Sequence, residues 1–158
     1  MGTLNTANIN LTGNLAAPNK PSFAVYLNGN QSIPNATDTK VLFNAEDFDV
    51  GNNFDTSNGR FTAPIAGKYV FMGHLYIYTS RQVESRIYKN GSIYKRFSGP
   101  LGSGYDDNPN GSDFMDLIDL DVGDYVEIYG RQTRYDDSFS QNIYGGGNRE
   151  TSFVGYLI

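Results

Sequence analysis

The chain has 158 residues, 18% of them charged and 14% aromatic, with tyrosine leading and neither tryptophan nor cysteine present. That length suffices for one domain with its own core, and the lack of cysteine excludes disulfides, thiolate metal sites and cysteine nucleophiles together. A net charge of −5 excludes nucleic acid as a partner, because no Lys/Arg cluster could displace counterions from a phosphate backbone. No stretch approaches the roughly 18 apolar residues needed for membrane insertion.

Residues 1–20 read as an extended N-terminal arm with a proline-containing linker. They hold no aromatic or acidic residue, and Lys20 is the first charged side chain. Ala7, Ile9 and Leu11 alternate with Asn8, Asn10 and Thr12, framed by Leu4 and Leu15. That is a strand pattern standing alone before Pro18 and Pro21, which stiffen the linker. It fits either an extra edge strand of the domain or an arm that adds a strand to a partner protein. The start has no basic n-region and no continuous apolar core, so the chain is expected to be made in a host cytoplasm.

The domain, residues 21–158, opens with a strand over residues 23–27, closed by the turn-forming Asn28-Gly29. Residues 39–44 form another strand, 47–58 a polar loop holding Phe48, Val50 and Phe54, and a short strand ends in Phe61 before the Pro64/Gly67 corner. The run from Tyr69 to Tyr78 is the centre of the domain. One face (Tyr69, Phe71, Gly73, Leu75, Ile77) suits a sandwich core. The other (Val70, Met72, His74, Tyr76, Tyr78) is too apolar for water, the pattern of a strand covered on both faces. A second copy of the chain is the expected cover.

A hairpin follows, 81–89 joined to 92–97 through Asn90-Gly91. Residues 98–112 read as a long loop, 113–120 as a strand, and Val122-Gly123-Asp124 as a turn into a strand over 125–132. A Gly/Asn-rich loop covers 133–148, and 151–158 is the last strand. Eight to ten strands with no helical period give an all-β, antiparallel sandwich or jelly roll.

Several pieces, in order, resemble the globular head of complement component one-q and its tumour necrosis factor-like relatives. They are Ser22-Phe23-Ala24-Val25, then Asn58-Gly59-Arg60-Phe61-Thr62-Ala63-Pro64, then Gly67-Lys68-Tyr69-Val70-Phe71 with His74. Lys89-Asn90-Gly91, Leu120 with Gly123-Asp124 and Val126, and Ser152-Phe153-Val154-Gly155-Tyr156-Leu157-Ile158 complete the set. The resemblance covers residues 22–158 and implies a jelly roll of about ten strands that forms a tight homotrimer. Val70, Met72, His74, Tyr76 and Tyr78 would then pack around a threefold axis. The sequence departs from the family in lacking a collagen stalk and in placing Asp116 on the side of Ile118 and Leu120. The opening MGTLNTANINLTGNL is similar to the starts of bacteriophage decoration, fibre and tail proteins.

His74 is the only histidine, so any Ser-His-Asp arrangement must use it. Its place in mid-strand among Met72, Tyr76 and Tyr78 favours a packed, hydrogen-bonded interface residue over a catalytic one. No cofactor is expected. Zinc is not expected either, and the weak candidates for calcium are Asp106, Asp107 and Asp113, which read more readily as solvated loop residues. The glycine runs lack the lysine and helix of a phosphate cradle. Tyr105, Tyr135 and Tyr144, near Arg131, Arg134 and Arg149, suit contacts to sugars or proteins, or ordinary loop packing.

The sequence thus reads as a non-enzymatic phage virion structural protein, a trimeric capsid decoration or cement protein. Its arm (Leu4, Ala7, Ile9, Leu11, Leu15) would hold a major capsid or other virion protein. A start at Met1 and a length of 158 residues fit a small self-contained cement protein. The alternatives are a trimeric head- or tail-fibre tip binding a host-surface glycan or receptor, a cellular binding module and, most distantly, a hydrolase.

Overall fold

The computed structural model describes residues 20–78, 82–101, 110–134 and 140–158. The arm residues Leu4, Ala7, Ile9, Leu11 and Leu15, and the loop residues Tyr105, Asp106, Asp107 and Tyr135, lie outside the described residues. The described chain forms strands β1 (Ser22–Tyr26), β2 (Gln31–Ile33), β3 (Thr39–Lys40), β4 (Ala45–Val50), β5 (Phe54–Asp55), β6 (Arg60–Thr62) and β7 (Gly67–Ile77). After these come β8 (Gln82–Lys89), β9 (Ser92–Ser98), β10 (Asn110–Leu120), β11 (Tyr125–Thr133), β12 (Gln141–Ile143) and β13 (Ser152–Leu157). No helix occurs among the described residues.

The strands pair antiparallel in two sheets. In the first, β10, β7, β13, β1 and β4 lie side by side, with β12 and β2 continuing past the end of β7. In the second the order is β5-β6-β11-β8-β9, with β3 against β11. This is a jelly-roll-like sandwich. Its core is aromatic: Phe23 packs with ring centroids 4.9 to 5.0 Å from Phe54, Phe61 and Phe153. Phe43, Phe71 and Tyr69 are fully buried beside them. Tyr69 keeps its hydroxyl satisfied by donating to the carbonyl of Ile65 at 2.8 Å, as a buried phenol requires. Two glycines make the packing possible. A Cβ at Gly155 would enter the rings of Phe23 and Phe71, and one at Gly73 would meet the ring of Phe114.

The central strand is where the sequence pattern put it. Tyr69, Phe71, Leu75 and Ile77 face the core with no exposure, and β7 carries β10 along one edge and β13 along the other. Other expectations need correction. Among the described residues thirteen strands occur, five of them only two or three residues long, where eight to ten were expected. The polar loop over 47–58 contains most of β4 and all of β5. Among the described residues β4 pairs only with β1, so as an edge strand it can carry Glu46 and Asp47 in water and still be a strand. The strand over 39–44 shortens to Thr39–Lys40, although the amide of Val41 still donates to Ile128. β10 begins at Asn110, ahead of Asp113. The loop over 133–148 encloses β12, which pairs with the unforeseen β2. Strands of three residues are too short to show a period of two.

Asp116 does sit on the inner side, where Lys95 of β9 meets it at 3.0 Å. β9 is the far edge of the second sheet, exposed along nearly its whole length. Both described ends of the chain lie at one end of the sandwich, where the amide of Leu157 donates to Pro21 at 3.0 Å.

Candidate assembly face

Side chains alternate across a sheet, so the residues between the core positions of β7 point outward. Val70, Met72, His74 and Tyr76 are half-buried there, and Tyr78 is 42% exposed. Strand register extends this face sideways. One row runs Leu117, Val70, Tyr156, Ser22 and Val50; the next runs Met115, Met72, Val154, Ala24 and Phe48. Met115 is 66% exposed, and Phe48, Leu117 and Tyr156 are each exposed by 40% or more. The first sheet therefore presents an apolar band five strands wide, of the kind that marks an interaction site when left uncovered.

Sequence reasoning found only the β7 part of this band. Met115 and Leu117 alternate with Phe114 and Ile118, and that signal could have shown them outward. Tyr156 was similarly visible two residues from Val154 on the outward side of β13.

A polar row of Asp113, His74, Ser152 and Tyr26 crosses this face between Met72 and Tyr76. Nδ1 of His74 lies 2.7 Å from Oδ1 of Asp113, so the tautomer protonated at Nδ1 donates to that carboxylate. The ring lies over Gly111, where a Cβ would touch it, and stands 6.0 Å from Tyr76. This pairing orients the ring and engages Asp113, one of the calcium candidates. Among the described residues no group of three or more His, Asp or Glu side chains is placed to hold a metal ion.

Tyr144 belongs to the same face. Its ring stands edge-on to Tyr76 at 6.0 Å and packs 6.1 Å from Tyr78, while its amide donates to the carbonyl of Tyr76. Two of the arginines expected beside it are engaged elsewhere. Arg131 reaches Asp38, and Arg149 grips Asp47 while lying over the Tyr26 ring. The amide of Arg134 is tied to Asn35. A polar groove of about 560 Å³ lies apart from the band, lined by Glu46, Asn52, Asn53, Asp55 and Thr62. Its Asp55 carboxylate is already taken by Ser57 and Asn58.

The outer face of the second sheet has a different chemistry. Arg86, only 8% exposed, bridges Asp38 and Glu84, and Arg131 and Tyr88 add to Asp38. Glu127, 2% exposed, is held by Lys40 and Arg60. Burial raises the Asp38 and Glu127 carboxyls, but hydrogen bonds from Tyr88 and Arg86, and from Lys40 and Arg60, outweigh it and hold both below the ordinary carboxylate range. Burial, helped by Asp38, pushes the Tyr88 phenol up to about 12.

Comparison with known proteins agrees with this architecture. The profile of the C1q domain matches residues 22–158. "Phage-like element PBSX protein XkdV" of Bacillus subtilis is 34% identical over 121 residues, covering 68% of this chain and 18% of that protein. "Complement C1q and tumor necrosis factor-related protein 9A" of Homo sapiens is 27% identical over 139 residues, 88% of this chain and 39% of that protein. The chain thus spans well under half the length of either relative. The solved globular domain of zebrafish complement 1qA superposes with a TM-score of 0.63 at 20% identity, covering 88% of this chain and 98% of that one.

Proposed function

We propose that this chain, which belongs to the C1q-domain family, is a non-enzymatic structural protein of a phage or phage-derived particle and acts there as a homotrimer. The observation that carries this reading is the apolar band on the first sheet. Val70, Met72, Tyr76, Met115, Leu117 and Tyr156 would be costly to leave wet, at about 25 cal/mol per Å² of apolar surface. Three copies packing Val70, Met72, His74, Tyr76 and Tyr78 about a threefold axis would cover them. The phage setting draws its support from the likeness to XkdV, whose name places it in a phage-like element. In the reading we favour, the trimer decorates or cements a capsid, and Leu4, Ala7, Ile9, Leu11 and Leu15 pair with a major capsid or other virion protein.

One observation supports a second reading. The match to XkdV occupies only 18% of that protein, the proportion of a tip carried on a longer shaft. In that case the trimer is a head- or tail-fibre tip, and its loops, including Tyr144, meet a host-surface glycan or receptor. Neither reading needs catalysis, and in both His74, oriented by Asp113, serves as a residue of the assembly face.

Light scattering of the purified chain tests the assembly. A trimeric mass is expected, and a monomer at micromolar concentration would refute the reading. Counting copies per purified particle separates decoration, which needs many, from a fibre tip, which needs few.

A further inference from the structure

The end of the sandwich where the chain enters carries exposed apolar groups that the assembly band does not include. Pro64, Ile65 and Ala66 form the exposed corner before β7, with Ile65 48% in water. Val122, 68% exposed, tops the turn between β10 and β11. The two turns are joined, because Ala63 exchanges backbone hydrogen bonds with Gly123 and Asp124 at 2.9 and 2.8 Å.

This surface is rigid. Asp124 closes its own turn by accepting from the amide of Asp121 and binds Lys89 and Asn90 of the neighbouring hairpin. Asn90 returns the link by accepting from the amide of Tyr125. Ile65 and Val122 are thus displayed on preformed turns, which lowers the ordering cost of binding. The nearby exposed charges, Lys68, Asp119 and Asp121, are of mixed sign. A phosphate-rich surface would need a basic field, so the chemistry suits a protein surface.

Where the chain leaves decides which protein. Lys20 and Pro21 lie at this end, beside Leu157. The linker from Ala16 to Pro21 spans at most about 20 Å when fully extended. The opposite end of the sandwich is farther off, since β7 has 11 residues and a strand rises about 3.3 Å per residue, making about 36 Å. A partner that holds residues 4–15 must therefore take Leu15 within about 20 Å of this end, close to Ile65 and Val122.

We propose that this entry end is a docking surface for the same particle protein that takes the arm. The inference rests on the particle reading above. The partner chemistry is an open strand edge, which pairs with Ala7, Ile9 and Leu11, next to an apolar patch that receives Ile65 and Val122. The tether makes the second contact nearly intramolecular.

The test uses full-length chain expressed in a strain whose own copy is deleted, with occupancy of purified particles measured by quantitative mass spectrometry. The double variant Ile65→Asp/Val122→Asp should remain trimeric by light scattering while its occupancy falls about tenfold, as loss of one of two linked contacts implies. A photo-crosslinking residue at position 65 should capture the same particle protein as one at position 9, and one at position 144 should not. Full occupancy of the double variant overturns the docking surface. So does a crosslink from position 65 to residues 4–15 of the chain itself, which would mean that the arm folds back onto this end. Absence of the wild-type chain from particles overturns the particle reading instead.

Discussion

The two sheets of this sandwich share one core but face outward with opposite chemistry. On the first, β10, β7, β13, β1 and β4 present rows of methionine, leucine, valine and tyrosine, interrupted by the hydrogen-bonded His74 and Asp113 and bordered at the entry end by Asp119 opposite Lys68. On the second, β11, β8 and β3 present Arg86, Glu84, Glu127, Lys40 and Arg131 in ion pairs satisfied within the protomer. A face that closes its own polar network is finished in one copy. A face that leaves apolar rows in water is finished only by another molecule. That difference is the support for proposing assembly through the first sheet.

The sharpest way to break this contrast is to charge the apolar side. Met72→Asp places an unpaired carboxylate in the middle of the band, and a buried unpaired charge is strongly unfavourable. It should reduce the trimer to monomers in sedimentation velocity while circular dichroism stays that of a β protein. An equivalent change on the other face, Arg96→Glu on the exposed β9, opposite Arg86, should leave the mass unchanged.

The second experiment addresses the paired face. Arg86→Ala leaves Asp38 and Glu84 facing each other without the nearly buried guanidinium. Both carboxylates retain some solvent, so the loss should stay below the full cost of breaking a buried pair and reach about 2 kcal/mol in urea unfolding. Assembly at low denaturant should not change. If Arg86→Ala dissociated the trimer instead, the two faces would not be independent.

A smaller effect should appear on acidification. Hydrogen bonds from Lys89 and Asn90 hold the Asp124 carboxyl down at about 2, and those of Asp38 and Glu127 are also lowered. Groups depressed in the folded state contribute stability that is present above their unfolded values, about 4, and is lost as pH falls through the folded ones. Melting temperature should therefore hold from pH 7 to about 5 and drop between about 4 and 2. The smallest effect should come from His74→Gln, which keeps a donor toward Asp113 and should change stability by less than about 1 kcal/mol.

Much of this architecture could be read before the fold was known, and the reasons are local. β7 was legible because its core and outer residues alternate over 11 residues, long enough for a period of two to stand out. The β8–β9 hairpin was legible because Asn90, with φ of 52°, and Gly91, with φ of 78°, are the residues that such a turn demands. β4 was hidden by its edge position, where acidic side chains are harmless. β2 and β12 were hidden by brevity, and the place of Tyr144 by tertiary pairing, since nothing near it in sequence announces Tyr76 and Tyr78. The breadth of the apolar band depends on register between strands far apart in the chain, which alternation within one strand cannot supply.

The exposed strand β9 has a consequence for life at high density. If many copies stand side by side on a particle, an open strand edge invites the next copy to add its own, and ordered decoration would give way to fibrils. Here the edge carries Lys95 and Arg96, with Lys95 turned toward Asp116. At the opposite edge of the second sheet, β5 is only two residues long. Either feature makes lateral strand pairing unfavourable. Copies of such a molecule can crowd without knitting together.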